Sequence, residues 1–231
     1  NIDIEEGWLD VQHKGRSHRF LYPKTAGSFY HLSKVHDSNN LEFVSRVWGL
    51  SITDLNQGIV YGVDTPQTIL HSDLITSFHY DDVFGTVINR FMLQAAREIP
   101  LTLYGSGEKI RAMLNINDTL RCVQLAAENP AKSGEFRVFN QFTEQVSLHD
   151  LILKIKDAFE GIGKKVSVTP IDNPRVEAES HYFAAANSGL ISLGLKPTLL
   201  NAVLPIMAET LVRNSTHINT QHVMPRIRWK N

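Results

Sequence analysis

From residue 28 onward the apolar positions fall mostly three or four apart: Phe29, Leu32, Val35, Leu41, Phe43, Val44 and Trp48. That period predicts a helix over 28–48. Ser28 is placed to cap its start, and Gly49, just past the last periodic residue, to stop it. The apolar positions cover more than one face, which fits a helix buried on two sides. Before it, residues 1–27 carry mixed charge with Gly7, Gly15, Pro23 and Gly27. They read as a loop region with a short hairpin around Lys14-Gly15.

Beyond the helix, short extended runs alternate with helical ones. Strands are expected at 51–55, 101–104, 136–140 and 166–169, with an extended piece over 111–116. Helices are expected at 84–97, at 118–128 with Asp118 as cap, at 147–159 with Ser147 as cap, and over 187–193 and 198–213. The stretch 63–82 is long for a connection, a length that suits a lid beside a site. Residues 170–179 read as a loop.

The alternation predicts an α/β class. A doubly wound nucleotide fold needs a glycine-rich turn between its first strand and first helix, and more parallel strands than this chain offers. No Gly-x-Gly-x-x-Gly occurs. Gly105-Ser106-Gly107 and Gly161-Ile162-Gly163 lack the third glycine and read as turns. If the fold is of that kind, its first half is expected to lie outside this chain.

Composition narrows the classes. Of 231 residues, 42% are hydrophobic and 20% charged, ordinary for a globular protein. A net charge of -1 gives no case for nucleic acid or an anionic membrane. No apolar run reaches the length of a membrane span, so no insertion is expected. The single cysteine, Cys122, allows neither an internal disulfide nor a multi-cysteine metal site, and its apolar surroundings predict a buried, inert thiol. The histidines, His71 and His79 among them, show no ligand spacing, so no metal is expected.

The candidate chemistry centres on Tyr30 and Lys34. Four apart on a helix, both leave one face, one turn apart. An ammonium near a phenol favours the phenolate, which suits Tyr30 to carry a proton near neutral pH. The same pattern also arises from a packing tyrosine and a solvated lysine. His31 follows directly and points about 100° away. It is either a packing or surface histidine or a second acid/base group. Downstream, Asn56 and Gln57 follow a strand and offer partners to sugar hydroxyls. Gly58 and Gly62 would let backbone approach a ligand.

Tyr30-His31-Leu32-Ser33-Lys34, preceded by Pro23, resembles the active-site helix of extended short-chain dehydrogenases/reductases. Four longer stretches are similar to the UDP-sulfoquinovose synthase family within that group: YHLSKVHD at 30–37, DLNQGIVYG at 54–62, NPAKSGEFRVFNQFTEQ at 129–145 and NPRVEAE at 173–179. The similarity runs to the closing Met224-Pro225 and Trp229-Lys230.

The resemblance implies a Rossmann-type α/β fold represented by its C-terminal part, plus a smaller α/β substrate-binding domain. Residues 1–62 would complete the NAD-binding domain. Residues 63–231 would mainly bind the UDP-sugar, with some segments returning to the first domain. It implies tightly bound NAD and the conversion of UDP-glucose and sulfite into UDP-sulfoquinovose, for sulfolipid or sulfosugar glycans. The sugar C4 hydroxyl is oxidised, water leaves across C5–C6, sulfite adds at C6, and hydride returns to C4.

On this reading Tyr30 takes the C4 hydroxyl proton, Lys34 holds the nicotinamide ribose, and His31 serves the elimination. Gln57, Gly58 and Val60 line the cofactor. Arg111 and Arg175 match arginines that touch the nucleotide in similar enzymes, and guanidinium groups bind phosphate by paired hydrogen bonds. A surface salt bridge is the alternative for each. Asn56, Thr86, Asn89 and Arg90 are further substrate candidates, although the last three also suit a helix cap and a solvated face. Leu103 and Tyr104 would pack on the uracil, and Glu177 would bind a ribose hydroxyl.

The family's third catalytic member, a threonine, and its glycine-rich loop are expected before Asn1. The helix at 28–48 would pair with a second copy in a homodimer. The compartment would be bacterial or archaeal cytoplasm, or plastid stroma. Two other readings stay open. One is another NAD-dependent epimerase or dehydratase of sugar nucleotides; the other is a non-catalytic domain that only binds or oligomerises.

Overall fold

The computed structural model describes residues 2–5, 7–21, 26, 29–74, 85–172 and 185–223. The chain divides into two compact units. The first comprises residues 1–58, 120–141 and 184–196; the second comprises 59–119, 142–183 and 197–231.

The first unit opens with an antiparallel meander of β1 (Ile2–Glu5), β2 (Trp8–His13) and β3 (Arg16–Leu21). Lys14 and Gly15 make the turn between β2 and β3, both with positive φ (48° and 73°). The expected hairpin is therefore present, but the rest of this stretch is sheet rather than loop. Ile2-Asp3-Ile4 and Leu9-Asp10-Val11 alternate with period two, a strand signal hidden by the charges. The meander is linked to the strand at 136–141 through Trp8, whose ring meets Phe136 edge-on at 6.2 Å, with the Arg19 guanidinium 5.4 Å from the Trp8 ring centre.

Helix α1 (Phe29–Trp48) follows. Its Ser28 cap lies outside the described residues. Its stop is as expected: Gly49 has φ +68°, the left-handed conformation that glycine adopts at least cost. The chain then enters β4 (Ile52–Gln57), which pairs in parallel with β8 (Phe136–Gln141), from Ile52 against Phe136 to Gln57 against Gln141. Residues 120–128 of α3 (Ile116–Glu128) and the short α5 (Ser188–Ser192) complete the unit. Among the described residues its core cluster comprises Cys122, Leu125, Phe139, Leu190 and Leu195, with Leu55 and Leu193 against them. Cys122 is fully buried, as its apolar run predicted.

The second unit holds two small sheets. In one, β5 (Ile59–Tyr61) runs parallel to β7 (Ile110–Asn115), and β7 runs antiparallel to β9 (Glu144–Ser147). In the other, β6 (Leu101–Tyr104) and β10 (Val168–Ile171) are parallel. Strand β9 lies where no strand was expected, because four residues with one strong β-former do not stand out from a turn. Strand β10 begins two residues late and includes Pro170, which the sequence placed in a loop; proline is tolerated where one edge has no ladder to serve.

Helices α2 (Val87–Ala96), α4 (Leu148–Glu160) and α6 (Leu200–Arg213) enclose the main core, in which Ile88, Phe91, Leu151, Ile155, Phe159 and Leu211 are essentially fully buried. Ser147 caps α4 as expected, accepting from the Asp150 backbone N–H at 3.0 Å.

Asp118 does not cap α3. The helix begins two residues earlier, and Asn115 is the cap: its Oδ1 accepts from the Asn117 N–H at 2.9 Å. The buried Asp118 carboxylate instead accepts from the Thr198 N–H at 2.7 Å and its hydroxyl at 2.9 Å. Glu144 accepts from the Leu200 N–H at 2.9 Å. Two carboxylates thus satisfy N–H groups at the entry to α6, where helix donors have no partner within the helix. Within 63–82, the described part contains two short 3-10 turns, Thr68–Leu70 and Ser72–Leu74, and residues 75–84 lie outside it.

Gly62 carries a testable constraint. Its φ is +119°, and a Cβ there would stand 2.9 Å from Ile116 Cγ2. Gly62→Ala should destabilise the protein by about 1–3 kcal/mol, the range for a residue forced into a disfavoured backbone region. Urea unfolding measures it, and an unchanged midpoint would show that the turn relaxes freely.

Candidate active site

Tyr30, His31 and Lys34 all lie in the first two turns of α1 and all are exposed. Tyr30 is 56% exposed. The Lys34 ammonium stands 5.8 Å from the centre of its ring, and the His31 ring centre is 6.0 Å from it at 50°. The i, i+4 spacing therefore puts phenol and ammonium side by side on an open face, as the helical reading required. Lys34 has another partner one turn on: its Nζ donates to Asp37 Oδ2 at 3.1 Å. That hydrogen bond first, and then the carboxylate's charge, holds the Lys34 pKa above its ordinary value.

Helix α1 fully buries two polar side chains, while Val35 and Val44 are half-buried. Its buried side chains are Ser38 and Ser45. Ser38 Oγ donates to Asp54 Oδ2 on β4 at 2.5 Å, and Ser45 Oγ to the Leu50 carbonyl at 2.8 Å. Large apolar side chains of the same helix are turned outward: Phe29 is 87% exposed, Phe43 51% and Trp48 69%. The sequence reading, which looked for apolar periodicity and catalytic pairs, passed over Ser38 and Asp54. The available signal was an aspartate in the middle of a strand, a position where acidic residues are depleted.

At the end of β4, Asn56 Nδ2 donates to Asn140 Oδ1 at 3.4 Å. Gln57 is exposed and in register with Gln141. The Gly58 N–H donates to the Gln141 carbonyl at 2.8 Å, so this donor is engaged by the sheet.

The remaining described candidates belong to the second unit. Val60 sits in β5, and its carbonyl accepts from Asn89 Nδ2 at 3.4 Å. Thr86 is the cap residue of α2, and its hydroxyl accepts from Asn89 Nδ2 at 3.0 Å. Arg90 is not on a solvated face: it is 4% exposed, donates to the Thr102 carbonyl at 2.9 Å, and lies 4.3 Å over the Tyr104 ring. Leu103 packs in the main core, whereas Tyr104 is only partly buried. Arg111, half-buried on β7, donates to the Ile110 carbonyl at 3.1 Å. Arg175 and Glu177 lie outside the described residues.

The structure also separates two tyrosines. Tyr61 is fully buried, and burial, with the Glu144 and Asp118 carboxylates adding to it, pushes its phenol far above the ordinary value. It is held neutral and is no proton carrier. Among the described residues no group of three or more His, Cys, Asp or Glu is placed to hold a metal ion, and no helix is long and apolar enough to cross a membrane.

Solved structures share this fold. A UDP-glucuronic acid 4-epimerase from Bacillus cereus, in complex with NAD and a fluorinated UDP-sugar, matches 84% of the chain and 55% of its own, with TM-score 0.62 and 22% identity. A UDP-glucose 4-epimerase with UDP-glucose from Thermotoga maritima matches 93% of the chain and 59% of its own, with TM-score 0.62 and 19% identity. The chain thus shares the mixed α/β, Rossmann-type fold of part of these epimerases.

Sequence narrows the class. The chain is 52% identical over its whole length to "UDP-sulfoquinovose synthase, chloroplastic" of Spinacia oleracea, and 38% identical over 99% of it to "UDP-sulfoquinovose synthase" of Sulfolobus acidocaldarius. It belongs to the UDP-sulfoquinovose synthase family. It spans about half the length of these relatives, 48% of the first and 59% of the second. No protein-family model matches the chain.

The Lys34–Asp37 pair yields a check on the site's electrostatics. Asp37→Asn removes the carboxylate charge, so the Lys34 pKa should fall back toward the ordinary lysine value. Because the pair is solvent-screened, thermal stability at neutral pH should not change. NMR titration of the lysine side chain tests this, and a Lys34 pKa that stays raised would assign the effect to another group.

Proposed function

We propose that the protein containing this chain uses NAD to convert UDP-glucose and sulfite into UDP-sulfoquinovose. The reading is carried by the Tyr30/Lys34 pair on the open face of α1, set within a sequence about half identical to a relative of that name. Tyr30 is assigned as the base that takes the proton from the sugar C4 hydroxyl and later returns it. Lys34 supplies the positive charge beside it and a donor to the nicotinamide ribose, for which it would exchange its contact with Asp37. His31, adjacent and exposed, is assigned to move the C5 proton when water leaves C6, and to return it when sulfite adds there. Net, UDP-glucose, sulfite and a proton give UDP-sulfoquinovose and water.

NAD, when bound, supplies reversible hydride acceptance at C4. The residues present fit part of it. Tyr30 and Lys34 are open and adjacent, which suits the ribose side, while the glycine-rich turn that would hold its pyrophosphate is not in this sequence. Asn56, Gln57, Gly58 and Val60 are assigned to line the sugar and cofactor. Arg111 and Arg175 are assigned to the diphosphate. Tyr104 is assigned to the uracil, held by its stacking contact with the buried Arg90. Thr86, Asn89, Leu103 and Glu177 complete the proposed substrate set. On this division, the first unit finishes the NAD-binding domain and the second binds the UDP-sugar. The outward apolar side chains of α1, Phe43 and Val47 one turn apart among them, support pairing with a second copy. Sulfite as the direct sulfur donor and the chloroplast as one compartment belong to the same proposal.

In the full-length protein, Tyr30→Phe should lower turnover by about 10²–10⁴-fold, the usual contribution of a positioned base, while UDP-glucose binding changes only a few-fold. Near-normal turnover would remove Tyr30 from the role. Product analysis with and without sulfite separates this chemistry from epimerisation. Accumulation of UDP-galactose, indifferent to sulfite, would favour the epimerase reading instead. For the dimer, Phe43→Asp should shift the full-length protein toward monomer in light scattering, and an unchanged mass would place the interface elsewhere.

A further inference from the structure

We infer that Ser38 and Asp54 form a positioning pair that sets Tyr30 and Lys34 for the chemistry proposed above, on which this inference rests. A helix on a sheet is normally fixed by an apolar stripe. Here the buried side chains of α1 are two serines. Ser45 donates to Leu50, in the turn that ends its own helix, and so does little to fix α1 on the strand. Ser38 reaches across to β4 and meets Asp54 at 2.5 Å. A hydrogen bond to a carboxylate in a part-buried setting is short and roughly twice as strong as a neutral one.

The strand fixes where that carboxylate points. Along β4, side chains alternate between faces. Thr53 accepts from Arg137 Nη2 at 2.9 Å, and Leu55 packs against the Cys122, Leu125 and Phe139 cluster. Asp54 therefore projects from the other face, toward α1. Its backbone is held in parallel register with Val138 of β8. One end of the bond is thus on a strand that cannot shift without breaking a ladder.

The other end is close to the reacting groups. Ser38 lies one turn beyond Lys34 and two beyond Tyr30, and about 80° around the helix from Tyr30. Seat and site are neighbouring flanks of one rigid rod. Losing the hydroxyl would remove this tie between α1 and β4 and let Tyr30 shift with the helix. A 1 Å misplacement of a reacting group costs up to about 10²-fold in rate. Neither Ser38 nor Asp54 needs to touch substrate for this.

The test uses the full-length enzyme with UDP-glucose and sulfite. Ser38→Ala should lower kcat by about tenfold or more while the KM for UDP-glucose stays within about threefold. Ser38→Thr, which keeps the hydroxyl, should recover most of the rate. Ser38→Ala combined with Asp54→Ala should be no slower than the worse single variant, because both remove the same bond. Unchanged kcat in Ser38→Ala, no recovery with threonine, or independent losses in the double variant would each overturn the pair. Asp54→Asn, which keeps an accepting oxygen and the strand's shape, serves if Ser38→Ala fails to fold. It should retain a larger share of kcat than Asp54→Ala, and equal losses would also overturn the pair. Tyr30→Phe in the same assay keeps the two readings apart. If it is inactive and Ser38→Ala is normal, the positioning pair alone falls. If Tyr30→Phe turns over normally, the underlying assignment falls first.

Discussion

The first unit depends on an unusual seat. Helix α1 bonds its sheet through the Ser38 hydroxyl and the Asp54 carboxylate, and exposes its largest apolar side chains. Apolar packing is worth about 25 cal/mol per Å² but is indifferent to small slides and rolls. A hydrogen bond to a half-buried carboxylate has the opposite character, with little area and a sharp dependence on angle and distance. For a helix proposed to present a proton-carrying phenol, the second kind of contact is the more useful one.

The second unit uses buried polar groups in a related way. Asp118 and Glu144 meet the backbone donors that open α6. Gln94 is fully buried and exchanges two hydrogen bonds with Thr102, donating to its hydroxyl at 3.0 Å and accepting from its N–H at 3.1 Å. Arg90 bonds the Thr102 carbonyl and stacks on Tyr104. Helix α2 and strand β6 are thereby joined by a satisfied polar network inside an apolar core, the arrangement that specifies one packing over others. Arg90 accordingly acts first as a structural brace. Its influence on a ligand would pass through the Tyr104 ring it supports.

The main helices were legible in the sequence because their apolar period and caps agree. Ser147 with its downstream run, and Gly49 after Trp48, each name an end that the structure shares. The Tyr30/Lys34 pair was legible because helical spacing alone places the two together. The meander at the start was not, since its alternation is interrupted by charges and short strands. Asp118 misled for a definite reason: an aspartate near a helix start suits a cap, but here Asn115 fills that place and a distant loop claims the carboxylate. Tertiary demand also took Arg90 from the expected solvent face into the core. The Ser38–Asp54 bond joins residues 16 apart on different elements, and no local pattern announces such a pair.

The pairing of β4 with β8 has a consequence for how the protein is made. Asn56 and Asn140, which meet across that ladder, are 84 residues apart in the chain. At the usual pace of synthesis, roughly 5–20 residues per second, α1 and β4 leave the ribosome several seconds before their partner strand exists. Throughout that interval β4 lacks its ladder with β8. Parallel pairings that close such long loops are also intrinsically slow. The nascent chain therefore passes through a window in which the Asp54 end of the Ser38–Asp54 bond is not yet held by β8. Any factor that meets the chain in that window meets α1 before β8 has fixed the strand to which Ser38 bonds.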